Sequence, residues 1–71
     1  IPSDGNFKLV FPEFITCGKL EIYNLLSSIV FTENIENKSE MNIEINNIKS
    51  GMYVGTLIEK ENRRIFKLII K

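Results

Sequence analysis

Residues 41–46, Met41-Asn42-Ile43-Glu44-Ile45-Asn46, alternate apolar and polar side chains without a break. A strand sends successive side chains to opposite faces, so this stretch predicts Met41, Ile43 and Ile45 turned into a core and Asn42, Glu44 and Asn46 turned to water. Working outward towards the C-terminal side, residues 46–51 collect asparagines, a serine and a glycine, the residue types that accept unusual backbone angles, and read as a connection. Residues 52–59 then read as a strand with Gly55 inside it, which marks either a bulge or a large side chain lying across the backbone. Residues 60–63 form the next turn, and residues 64–71 a final strand running to the last residue.

Towards the N-terminal side, residues 33–40 are polar and read as a loop. Residues 20–30 fit two templates. Ile22, Leu25, Leu26 and Ile29 follow helical spacing, whereas Lys19-Leu20-Glu21-Ile22-Tyr23 alternates strictly between Gly18 and the Ser27-Ser28 pair. We take the hairpin reading, with strand 19–23, a turn over 24–28 and a return strand over 29–32. Pro2-Ser3-Asp4-Gly5-Asn6 is a turn cluster, and residues 6–11 form the first strand, stopped by Pro12 because proline has no N–H to give. Six strands on short connections leave no room for parallel crossovers and predict antiparallel pairing in two small packed sheets, an all-β sandwich.

Composition agrees. Twelve isoleucines, three valines and five phenylalanines with no alanine suit a pleated, half-buried surface and not a helix. The 71 residues are enough for one domain and too few for two. The chain begins with Ile1 and not Met, and is expected to be a piece of a larger secreted protein. No apolar run approaches the length of a membrane span, and no charged-then-apolar leader opens the sequence.

Chemistry is sparse. With no histidine and one cysteine, the sequence offers neither a disulfide nor a metal cage of those ligands, and no cofactor motif is present. Cys17 is read as a core thiol. Glu59 with Glu61, and Glu36 with Glu40, sit in or beside expected turns, where charge is ordinarily solvated, so no catalytic residues are assigned. Asn37-Lys38-Ser39 fits the N-x-S acceptor pattern. Charge sums to zero but is unevenly placed: residues 33–46 hold four acids and one lysine, residues 60–71 five bases and one acid. Arg63, Arg64, Lys67 and Lys71 therefore either meet an acidic partner or guard an edge strand against pairing. Nucleic-acid binding is disfavoured by the neutral net charge.

The order of these features resembles the type A C-terminal sorting domain of cargo proteins exported by the type IX secretion system. The resemblance rests on Ile43-Glu44-Ile45, then Ser50-Gly51-Met52-Tyr53, a strand, a charged turn, and Phe66-Lys67-Leu68-Ile69-Ile70-Lys71 as the closing strand. Gly18-Lys19-Leu20-Glu21-Ile22-Tyr23-Asn24 is similar to the family's strand leading into a turn, and Pro2-Ser3-Asp4-Gly5-Asn6-Phe7 to the tail of its opening motif. Two departures stand out: Ser27-Ser28 occupy a turn where the family commonly has a glycine, and the family's tyrosine-proline-asparagine opening is absent.

The resemblance implies a small immunoglobulin-like antiparallel β-sandwich of about six to seven strands. It implies an address label and no enzyme, directing an upstream cargo domain of the same chain through the periplasm and across the outer membrane to the surface or medium. Implied partners are the outer-membrane shuttle protein, the translocon and a sortase that removes the domain, with no nucleic acid and no direct membrane insertion. Recognition is expected at Lys67, Ile69, Ile70 and Lys71, where a final strand offers its edge for strand addition or terminus capture. Pro2, Gly5, Gly51 and Tyr53 are expected to maintain the fold. The competing reading is a generic immunoglobulin-like or fibronectin-like accessory binding module of a secreted protein.

Overall fold

A computed structural model describes residues 2–71, with side chains from residue 4 onward. The strands are β1 (Pro2–Ser3), β2 (Asn6–Tyr23), β3 (Ile29–Glu44), β4 (Gly51–Glu59) and β5 (Asn62–Ile70). They hydrogen-bond as one sheet in the order β1-β5-β4-β2-β3. Four strands are antiparallel, and the two-residue β1 adds to β5 in parallel, Pro2 opposite Ile69 and Ser3 opposite Ile70. No helix occurs among the described residues.

The all-β reading holds, but the expected six to seven strands in two sheets do not appear as such. Two pairs of expected strands are each one long strand. Pro12 does not end β2; it falls where β2 leaves register, Val10 pairing with Glu40 and Ile15 with Lys38. Residues 11–14 thus stand opposite Ser39 alone, and in this excursion the missing N–H of Pro12 costs no ladder bond. Residues 33–40, read as a loop from their polarity, belong to β3. That strand is an edge, so its side chains are mostly solvated and its alternation is hidden; Ile35 is the one buried residue among them. Asn37 takes the left-handed conformation (φ 49°) at the bend, which asparagine tolerates better than most residues.

Both arms of the bent β2–β3 hairpin contribute to one core. Phe11, Ile15, Met41 and Ile43 from the N-terminal arm and the bend join Leu20, Ile22, Ile35, Tyr53, Leu57, Leu68 and Ile70. Leu20, Ile22, Ile35, Ile43 and Leu68 are fully buried, each contributing roughly 1.5–3 kcal/mol of transfer free energy. Met41 and Ile43 face inward as the alternation predicts, and Ile45 is half-buried against the core. Gly55 lies under the ring of Phe66, which occupies the space a Cβ would take.

The predicted hairpin forms, with Tyr23 opposite Ile29 closing the 24–28 turn and Val30 the extra residue of a bulge. Alternation wins over helical spacing because Leu20 and Ile22 pair into the sheet centre, opposite Leu57 and Gly55 of β4. Ser27, at the position where the resemblance leads one to expect glycine, adopts the glycine-like left-handed conformation (φ 67°).

Candidate functional site

Alternation along β5 decides which of its residues a partner can reach. Phe66, Leu68 and Ile70 face inward, and Leu68 and Ile70 are buried. Arg63, Ile65, Lys67, Ile69 and Lys71 are exposed on the other parity. Of the four expected contact residues, the fold brings Lys67 and Ile69 onto one outward face, leaves Lys71 exposed just beyond β5, and sends Ile70 into the core, opposite Gly51. The expectation of an open final strand is also corrected: β1 covers Ile69 and Ile70 on the outer side, so only the earlier part of β5 lies on the sheet's rim among the described residues.

Register builds the outward face in rungs across β5, β4 and β2. Ile69 stands opposite Met52; Lys67 opposite Val54, which is opposite Tyr23; Ile65 opposite Thr56, which is opposite Glu21; Arg63 opposite Ile58, which is opposite Lys19. Paired residues share a face. Lys19, Arg63 and Lys67 therefore stand on the same face as Glu21. That carboxylate accepts a hydrogen bond from the Tyr23 hydroxyl (2.8 Å) and lies 3.6 Å from the Lys19 ammonium. The bond to Glu21 raises the Tyr23 phenol above its ordinary pKa, since it stabilises the protonated form and the carboxylate charge opposes ionisation.

The uneven charge seen in the sequence becomes a difference between opposite sides of the sheet. The acidic segment 33–46 supplies most of the edge strand β3, and the basic segment 60–71 supplies β5. Arg64, inward in parity, reaches Glu13 of the β2 excursion at 3.7 Å and is not part of the outward cationic set. Both partners are exposed, so this pair contributes little to stability.

The residues expected to maintain the fold have local reasons to do so. Gly5 has φ 108°, and a Cβ there would stand 2.7 Å from the Ile45 carbonyl oxygen; its own carbonyl accepts the Ile45 N–H at 2.8 Å. Gly51 opens β4 with φ 151°, in open space but in a conformation that side-chain-bearing residues avoid. Tyr53 is buried and donates its hydroxyl hydrogen bond to the Lys49 carbonyl at 2.7 Å, tying the 45–50 connection to the sheet. The side chain of Pro2 lies outside the described residues.

Cys17, read as a core thiol, is exposed. It stands opposite Glu36 of the edge strand and shares the parity of Lys19 and Glu21, while Gly18 takes the inward position where Ile15 packs. Asn37, Lys38 and Ser39 are all exposed on β3. Among the described residues no group of acids and cysteine could hold a metal, and no helix is long and apolar enough to cross a membrane.

No curated protein matches the chain. The profile of the family described as "Secretion system C-terminal sorting domain" matches residues 1–71, the whole sequence, and the family is not one of enzymes. The rungs that place lysines beside isoleucine on an exposed sheet face thus belong to a domain whose work is to be recognised: this chain belongs to the secretion system C-terminal sorting domain family, the sorting signal for type IX secretion.

Proposed function

We propose that the export machinery reads this sorting signal on the outward face of β5, through Lys67, Ile69 and Lys71. The observation that carries the proposal is the register: Lys67 and Ile69 are exposed on one face, next to Val54 and Met52, and Lys71 is the exposed residue just beyond β5. Such a face presents positive charge and apolar area together, the combination that steers an acidic partner and then holds it. The outer-membrane shuttle protein and the translocon are the partners, met in the periplasm by a domain attached to its upstream cargo. A sortase then removes the domain as the cargo reaches the surface or the medium. Ile70 acts differently, by burying its side chain in the core and keeping the strand in place.

Reversing charge on the face separates recognition from folding. In a fusion of this domain to a fluorescent cargo, Lys67→Glu with Lys71→Glu is expected to lower export strongly, while Lys67→Arg with Lys71→Arg retains it. Both variants should melt near the parent temperature, because the side chains are exposed. Undiminished export of the glutamate variant would exclude this face as the address.

A further inference from the structure

The sheet ends in two rims of opposite charge. On one side β3 carries Glu33, Glu36, Glu40 and Glu44 with one lysine, Lys38; on the other, β5 carries Arg63, Arg64 and Lys67 and no acid. Glu33 and Glu36 reach no cation among the described residues. β1 pairs with β5 only at Ile69 and Ile70, so the edge at residues 62–66 is uncovered among the described residues. An uncovered edge is a row of backbone donors and acceptors that another strand can meet.

Register makes the two rims fit each other. Unbroken rungs cross the sheet through β2 and β4, joining Asn34 to Arg63, Glu33 to Arg64, Thr32 to Ile65 and Phe31 to Phe66. Because β3 is antiparallel to β2, β2 to β4 and β4 to β5, β3 is also antiparallel to β5. A second copy moved sideways in the plane of the sheet therefore sets its β3 against β5 in antiparallel order, with both cores on the same side. The backbone phase agrees as well. A tight turn over residues 60–61 closes on Glu59 and Asn62 as a hydrogen-bonded pair, so by alternation Arg63 and Ile65 turn their N–H and C=O groups to the rim. Carried across the rungs, the same alternation turns those of Asn34 and Thr32 to the opposite rim, in phase with the Asn24 N–H bond to the Ser28 carbonyl (2.9 Å) that closes the β2–β3 turn.

We infer that this domain associates with further copies of itself head to tail, β3 of one copy adding to residues 62–66 of β5 of the next. Asn34 and Thr32 then exchange backbone hydrogen bonds with Arg63 and Ile65. Between them Glu33 meets Arg64, and Phe31 extends the half-buried apolar row that Phe66 ends. Charge selects this arrangement over a symmetric dimer, since β3 against β3 opposes glutamates and β5 against β5 opposes arginines; a head-to-tail contact leaves one free rim at each end and continues as an open chain. The contact is independent of the sorting reading. It is short, so its affinity is low, on the order of 0.1–1 mM.

Sedimentation of the domain joined to a monomeric fluorescent protein tests this, in low salt and with reductant so that exposed Cys17 cannot link chains. The parent is expected to gain mass with concentration and to lose that gain in high salt. Glu33→Arg and Arg64→Glu, each alone, should weaken association by about tenfold, and mixing the two variants should restore it, because each then finds an opposite charge. Both residues are exposed, so melting temperatures should stay near the parent's. Thr32→Pro removes an N–H that faces the rim and should abolish the mass gain. A parent that stays monomeric to about 1 mM would overturn the inference and leave the acidic rim to a different partner. Charge variants that associate like the parent, or that remain apart when mixed, would overturn it too.

Discussion

Replacing Gly55 by alanine should destabilise the domain in a way that depends on one neighbour. The backbone there is not in a glycine-only conformation, so the substitution carries no φ penalty. Its cost is space: the new Cβ falls within the Phe66 ring, the nearest atoms being ring carbons on the strand opposite. Phe66 packs against the core, over a cleft shared with Leu9, Phe11 and Leu57, and has to swing outward. Forcing atoms into a packed site costs roughly 1–3 kcal/mol, and exchanging glycine for alanine returns about 0.4–1 kcal/mol through the unfolded chain. The net loss is then on the order of 1–2 kcal/mol, a fall of roughly 5–15 °C in melting temperature for a domain of this size. In a Phe66→Ala background the clash is gone, and Gly55→Ala should become neutral or stabilising by about 0.5 kcal/mol. Urea denaturation of the four proteins, followed by circular dichroism, gives the coupling directly. An equal cost of Gly55→Ala in both backgrounds would refute the argument that the glycine is there for the ring.

Ser27→Gly should stabilise the domain by about 0.5–1 kcal/mol, because a side-chain-bearing residue held at φ 67° loses roughly 1–2 kcal/mol that glycine mostly avoids; a lower melting temperature would contradict this. The Tyr23 phenol, whose folded pKa is raised by Glu21, contributes stability that is present below the ordinary phenol value and is lost as pH rises through the raised one. Titration of phenolate absorbance should therefore show a component that moves to lower pH in Glu21→Ala, and an unmoved curve would show that the hydrogen bond has no hold on the proton. Cys17 should react with a thiol reagent as readily in native buffer as in urea, since it is exposed; protection in native buffer would return it to the core.

How far the fold was legible depends on which side chains meet water on both sides. Met41 to Asn46 and Leu20 to Ile22 declare themselves, because one of their faces is dry and the other wet. Residues 33–40 do not, since an edge strand that buries only Ile35 in this stretch has the composition of a loop. Pro12 misled for a related reason: it marks a break in pairing, but the chain carries on through the break in extended form, so one bent strand was read as two. β1 is two residues long and owes its existence to the end of β5, a contact no local pattern records. At the candidate site, the alternation that placed Lys67 and Ile69 outward also required Ile70 to be inward, so that correction was available from the sequence itself. Leu25 and Leu26 fit helical spacing too, but the hairpin reading puts them in the 24–28 turn, and their position at its centre turns them outward. The Asn24 and Ser27 geometry that fixes that turn is the signal that a sequence reading could use.

The central claim, that this folded domain is a sufficient address, is tested most directly by joining residues 1–71 to the C-terminal end of a fluorescent protein that carries a signal peptide. Fluorescence is then measured in the medium and on the surface of a type IX bacterium and of its translocon-deficient counterpart. The account predicts export in the first strain and periplasmic retention in the second. Retention of an intact, folded fusion in both would contradict it.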